Sequence, residues 1–370
     1  MTTLQDIADR MGISKGTVSK ALNGAPDISE TLQKNVLETA VEMGYTKLRR
    51  QKADAKKLCI LTENIEYEEP HQFGYDITLG FRQMAEPAGY TVEIVQAEEK
   101  LQKHTPYDVF MLRNNYLGAF VLGFSLNDPW MKDFHTSRTP TVLYDNYISA
   151  NPNIAYVGVD NNEGMELAVS HLKLLGHKKI GYLSGALGSH VMQVRHKAFF
   201  QALRQNGLQS DPTYAGSSYY ITECLEKHLP RLLAMGVTAI ICSHDLIANT
   251  VMIQCQQLGY HVPRDLSIIG FDDLPICAYT SPPLTTIRQE RIELGKSGYY
   301  ALDSLMNKVS IGTLLLHAQL VVRNSTGPRA ANSREYGSLL KKSYKNCHET
   351  VRVPTRSRFH GSFSISSYLC

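Results

Sequence analysis

The sequence predicts a small all-α head joined to a larger α/β body, and three observations carry that prediction. Residues 3 to 22, TLQDIADRMGISKGTVSKAL, space their apolar side chains as two short helices around a tight turn. From Leu58 onward, short apolar runs alternate with helical patterns, the signature of parallel sheets built from strand, helix, strand units. Gly89, Gly176, Gly207, Gly236 and Gly259 stand where those helices should stop.

In the head, Thr3 and Asp6 have the spacing of a capping pair that satisfies free amide donors at a helix start. Leu4, Ile7 and Ala8 form one apolar face, Gly12 tolerates the left-handed turn, and Ile13 plugs the core. Ser14 caps a second helix that turns Val18, Ala21 and Leu22 inward. A third helix starts at Ser29, buries Leu32, Val36, Leu37, Ala40 and Val41, and stops at Gly44. Three helices of this kind make one small core and leave Lys15, Gly16, Thr17, Ser19, Lys20 and Asn23 outward. With Thr3 and Ser14, these are the candidate DNA contacts, because hydroxyls, an amide and lysines on a thin helix suit phosphates and base edges.

A chain of 370 residues with 43% hydrophobic content is long enough for such a head and a substantial body. It contains no apolar run of membrane-spanning length, and the helix motif opens it directly, so neither a membrane span nor a signal peptide is expected and the cytoplasm is the expected compartment. The seven cysteines show no CxxC spacing, which fits buried reduced thiols with no disulfide or structural metal. The net charge of +3 divides unevenly: residues 1–57 carry +3 and residues 331–370 carry +5, leaving −5 on the body. Nucleic-acid binding therefore belongs to the head and to the basic residues after it, Lys47, Arg49, Arg50, Lys52, Lys56 and Lys57, where counterion release would add affinity.

In the body the expected strands are LCIL, YTVEIV, GAFVLG, PTVLY, KIGYLSG, TAIIC and LSIIGF, with helices over 74–88, 162–175, 191–206, 222–235 and 245–258. Open parallel sheets bind ligands at the carboxyl ends of their strands. Asp145 follows TVLY, His244 follows AIIC, Asp272 follows SIIGF, and Arg195 lies on the helix after the Gly185–Ser189 loop. Carboxylates and an arginine grip vicinal hydroxyls through charge-assisted hydrogen bonds, and Phe73 and Tyr219 offer rings for an apolar sugar face.

The spacing L-x-D-I-A-x(8)-T-V-S-x-A-L-N-G over Leu4–Gly24 resembles the DNA-binding head of the lactose-repressor family of bacterial regulators. So do, in the body, the stretch from Gly158 through Asp160 and Asn161 to GHKKIGYLSG, then VPRDLSIIGFDD, SPPLTTIRQ and LVVRNST, so that the likeness covers roughly residues 2 to 328. The resemblance implies a two-lobed body like that of periplasmic sugar-binding proteins, with doubly wound parallel sheets and a ligand between the lobes. It implies domains at 1–46 (head), 47–57 (basic hinge), 58–329 (effector and dimerisation body) and 330–370 (a disordered, serine-rich and basic tail). It carries effector contacts over to Asp145, Arg195 and Asp272, and to Phe73 and Tyr219.

The chain departs from the family pattern at three places. His244 stands where the family usually has asparagine, which alters the size and hydrogen bonding of one contact. Lys15 and Gly16 occupy the two variable reading positions, so one reader is a glycine and specificity falls on Lys15 and Lys20. The hinge run LRRQKADAKK puts Asp54 or its neighbours where the family inserts a leucine wedge into the minor groove, so strong operator bending is not expected.

The expected function is a DNA-binding transcription regulator, a homodimer on a near-palindromic operator, controlled by a sugar or sugar derivative. A regulator controlled by a protein partner and a soluble sugar-binding protein without operator function are the alternatives. Asp272 and Asp273 raise acid catalysis or a metal, yet no histidine cluster or second carboxylate motif accompanies them. No catalytic residue, metal or cofactor is assigned.

Overall fold

The computed structural model describes residues 2–45 and 56–329. The expectations for Asp54, for most of the hinge and for the tail fall outside those residues. The head holds α1 (Leu4–Met11), α2 (Lys15–Leu22) and α3 (Glu30–Glu42). Its caps follow from the residue types. Thr3 Oγ1 accepts from the Asp6 amide at 3.3 Å while the Thr3 amide donates to Asp6 Oδ2 at 2.7 Å. Ser14 and Ser29 accept from the Thr17 and Leu32 amides, and Gly12 turns the chain at φ 67°. Ile7, Ala8, Val18, Ala21, Val36 and Ala40 make the buried core, on which Leu112 of the body also packs; Leu22, Leu32 and Val41, expected inside, are half-buried.

The body is two lobes, each a six-stranded sheet with helices on both faces. Lobe one runs β1 (Lys56–Thr62), α4 (Phe73–Ala85), β2 (Tyr90–Gln96), α5 (Glu99–His104), α6 (Tyr107–Asn114), β3 (Tyr116–Leu122), α7 (Pro129–Asp133), β4 (Thr141–Tyr144) and β5 (Ile154–Val159). Lobe two continues with α8 (Asn161–Leu174), β6 (Ile180–Ser184), α9 (His190–Gln205), β7 (Ala215–Ser217), α10 (Ile221–Glu223), a π turn, α11 (Leu229–Ala234), β8 (Ala239–Cys242), α12 (Asp245–Gln257), β9 (Ser267–Asp272) and β10 (Thr285–Arg288). The chain then returns to lobe one for α13 (Arg291–Met306) and β11 (Thr313–Leu316), and crosses back for β12 (Gln319–Val321). Strand order is β11-β5-β4-β3-β1-β2 in lobe one and β12-β10-β9-β8-β6-β7 in lobe two. All neighbours are parallel except β10 and β12.

Parallel strands covered on both faces read as continuous apolar runs, and β1, β3, β4, β5, β6, β8 and β9 are buried nearly throughout. The five glycines expected at helix ends all have positive φ, between 67° and 89°. Two differences from the sequence reading matter. Lys56 and Lys57 belong to β1 rather than to the hinge, and Lys57 pairs with Glu93 of β2 at 2.7 Å. Strands β5, β7, β10, β11 and β12 and helices α5, α6, α7 and α13 appear in addition to the expected elements. The described cysteines, Cys59, Cys224, Cys242, Cys255 and Cys277, are buried and free. No helix among the described residues is long and apolar enough to cross a membrane.

Candidate functional site

The carboxyl ends of both sheets face one cleft of about 520 Å³. Phe73, Asp145, Arg195, His244 and Asp272, distant in sequence, all line it. Tyr219 does not: it is 77% exposed and packs edge-on against Tyr220 at 4.9 Å, so the expected sugar-stacking role is corrected. The loop after β7 carries it outward, which strand-end reasoning does not reveal.

Arg195 is the central group from lobe two. Its position on α9 buries it to 2% exposure, which demands partners for the guanidinium. Nε donates to Asn161 Oδ1 at 2.8 Å, and Nη1 donates to the Ser243 carbonyl at 2.6 Å and to Asp272 Oδ1 at 3.5 Å. The guanidinium plane lies 3.7 Å from the centre of the Phe271 ring. Asp272 closes β9 at φ 114°, a left-handed conformation held by this surrounding network. Its Oδ1 also accepts from Gln289 Nε2 at 2.7 Å. Burial raises the Asp272 carboxyl above the usual carboxylate range, and Arg195 opposes that shift.

His244 is the N-cap of α12, where its Nδ1 accepts from the Ile247 amide at 3.3 Å. Burial, reinforced by the nearby Arg195 charge, holds the imidazole down at about 4. The ring is therefore neutral, and because Nδ1 is an acceptor its proton resides on Nε2. His244 thus caps α12 while presenting a fixed N–H donor at the cleft.

Lobe one contributes differently. Asp145 follows β4 at φ 56° and its amide donates to the Val157 carbonyl. Its Oδ1 is buried without a hydrogen-bond partner, and so is Oδ1 of the neighbouring Asn146. Burial pushes the Asp145 carboxyl up to about 6, against the pull of Arg195. Phe73, the first residue of α4, packs 6.1 Å from the Tyr144 ring and under Arg291 at 5.9 Å.

Sequence reasoning missed Tyr144, Asn146 and Gln289 among the lining groups. Tyr144 Oη donates to Gln289 Oε1 at 3.2 Å, so a lobe-one strand end touches the crossover segment that carries the Asp272 partner. Position was the only available signal: Tyr144 ends TVLY and Gln289 ends the quoted segment SPPLTTIRQ. Arg291 completes the connection between lobes, pairing with Asp76 at 3.0 Å and donating to the carbonyls of Asp272 and Asp273. Asp273 itself is turned away, held at 2.7 Å by Arg288 and by Arg323. The aspartate pair therefore does not converge on one reacting centre. Asp245 is wholly buried and accepts from the Leu274 amide and Thr286 Oγ1, which locks the loop after β9.

On the head, Thr3, Ser14, Lys15, Gly16, Lys20 and Asn23 are exposed and Thr17 and Ser19 are half-buried. The face is not uniformly free. Ser14 Oγ bonds Thr17 Oγ1 as well as its amide, Asn23 Nδ2 donates to Ser19 Oγ, and Lys20 pairs with Asp27 at 2.5 Å. Lys15 has no such carboxylate partner among the described residues.

Comparison with known proteins agrees with this division. Residues 3–47 match the model for bacterial regulatory proteins of the lacI family, and residues 169–326 match a periplasmic binding protein-like domain. The HTH-type transcriptional repressor CytR of Escherichia coli is 29% identical over 331 residues, covering 88% of this chain and 96% of the relative. A transcriptional regulator CelR in complex with cellobiose superposes with TM-score 0.65 at 22% identity, over 88% of this chain and all of that one. The lac repressor dimer bound to operator and the anti-inducer ONPF gives TM-score 0.59 at 24% identity, over 88% of this chain and 99% of that one.

Proposed function

We propose that this chain, which belongs to the lacI family of bacterial regulatory proteins, is a repressor whose operator affinity is set by a sugar or sugar derivative bound between its lobes. DNA-binding repression comes with the family. The sugar rests on one observation: Asp145, Arg195, His244 and Asp272 converge on a cleft whose floor joins both lobes. Hydroxyls donate to the carboxylates and accept from Arg195 and His244, while Phe73 offers an apolar face. The bound cellobiose of the CelR complex supports the same chemical class. Closing the lobes on a ligand would be felt by the head through Leu112 of α6, which packs on its core, and a homodimer would convert that movement into a change of head spacing.

The operator side rests on α2. Lys15 and Lys20 supply the cationic donors, and Asp27 holds Lys20 until DNA displaces it. Lys20→Ala should weaken operator relative to random DNA by roughly 1–3 kcal/mol in anisotropy titrations at fixed salt; an equal loss on both DNAs would reduce Lys20 to a phosphate contact. Operator titrations with and without a sugar panel test the whole reading. A change in operator affinity with one sugar is expected. Operator binding that no sugar alters, with flat calorimetry across the panel, would favour control by a protein partner.

A further inference from the structure

The charges around the cleft, taken with the proposed sugar reading, narrow the ligand further. Asp145, Asp272 and Glu66 all stand on its lining. Among the described residues that line it, Arg195 is the sole lysine or arginine, and its Nε and Nη1 are already committed to Asn161, the Ser243 carbonyl and Asp272. Arg291 is committed to Asp76 and two backbone carbonyls. His244 has Nδ1 engaged in its cap and only a neutral N–H to offer, and His71 is exposed at the rim.

A second recess of about 260 Å³ shares Asn64, Ile65, Glu66 and Gln72 with the cleft. It adds Glu63 and Glu68 and again contains no lysine or arginine. The start of α9 reaches the cleft through Ser189, whose side chain makes no cap bond, but a helix end supplies only about half a positive charge. An anion entering here would lose its hydration and face three carboxylates against the single guanidinium of Arg195, whose charge Asp272 already shares at 3.5 Å.

We propose that this cleft selects hydroxylated ligands without an anionic group and rejects their phosphorylated and carboxylated counterparts. Asp145 and Asp272 accept hydroxyl donors, and they repel a ligand that brings a further negative charge beside them.

Calorimetric titration of the full chain with matched pairs tests this: ribose with ribose 5-phosphate, glucose with glucose 6-phosphate, cellobiose with cellobionic acid. In any pair that binds, the anionic member should be at least about 100-fold weaker, and Asp145→Asn should narrow that gap while weakening the uncharged member. An anionic member that binds as tightly as its partner overturns the selection while leaving the sugar reading intact. If no pair binds while operator is still bound, the sugar reading fails and this inference with it. Inorganic phosphate gives a probe independent of the sugar chosen. Phosphate heat that is absent, or unchanged by Ser189→Asp, upholds the selection; saturable phosphate binding abolished by Ser189→Asp overturns it.

Discussion

The two lobes face the same cleft but bring different kinds of group to it. Lobe two presents Arg195, Asp272 and His244 already bonded to Asn161, Ser243, Gln289 and the Ile247 amide. Lobe one presents Asp145 and Asn146, each with a buried oxygen that has no partner. A satisfied network is preorganised and loses little freedom on binding. Buried unpaired oxygens remain costly until something donates to them. On the proposed sugar reading, lobe two is the template for the ligand and lobe one is the half whose polar groups gain most when the ligand arrives.

Arg195→Ala should do the most damage, because it dismantles the lobe-two network. It leaves Asp272 buried without its cation and opens space beside Phe271, so stability should fall by about 3–5 kcal/mol. Denaturant unfolding would show it, and calorimetry should find ligand binding gone. Retention of both would mean that the lobe-two network is not the template.

Asp145→Asn should behave in the opposite sense. Ligand affinity falls by about ten- to a hundredfold, because a charged acceptor becomes neutral, while stability holds or rises. The pH dependence gives the sign. A carboxyl at about 6 in the folded chain against about 4 when unfolded makes the folded state hold its proton longer. That stabilisation is full below about pH 4 and is lost as pH rises through about 6. Wild-type stability should therefore decline across that window more steeply than Asp145→Asn, and effector affinity should weaken as pH falls below about 6. Matching pH profiles for the two proteins would contradict the carboxyl raised by burial at Asp145.

Arg291→Ala tests the connection between the halves. Removing its bonds to Asp76 and to the Asp272 and Asp273 carbonyls should loosen the ligand-free lobes, lowering affinity several-fold and raising the radius of gyration in small-angle scattering. Unchanged scattering would show that the crossovers alone set lobe orientation. Tyr219→Ala should have the smallest effect, leaving calorimetric affinity within twofold of wild type, because the ring lies off the cleft.

The sequence was most legible where one helix meets solvent on one side and a core on the other. In the head, apolar periodicity and the capping residues Thr3, Ser14 and Ser29 predict all three helices. Helix α13 shows why the remainder was harder. Gly295 and Gly298 interrupt its pattern, yet Gly295 and Gly80 are where α13 and α4 cross backbone to backbone. A Cβ on Gly80 would lie 2.1 Å from the Ile292 carbonyl, and one on Gly295 would lie 2.1 Å from that of Ile77. Residues that weaken a helix locally are the ones that permit this packing. Strands β10, β11 and β12, of three or four residues, are too short to show a period.

Local spacing and residue type were enough to give the exposed polar face of α2, the α/β character of the body and the strand-end positions of Asp145, His244 and Asp272. Which groups meet was settled by the folding of the chain. It brought Gln289 onto Asp272, placed Tyr144 against Gln289, set Asp273 aside with Arg288 and Arg323, and carried Tyr219 away from the cleft. The three crossovers between lobes impose those meetings between residues far apart in the chain, and a linear pattern holds no record of such contacts.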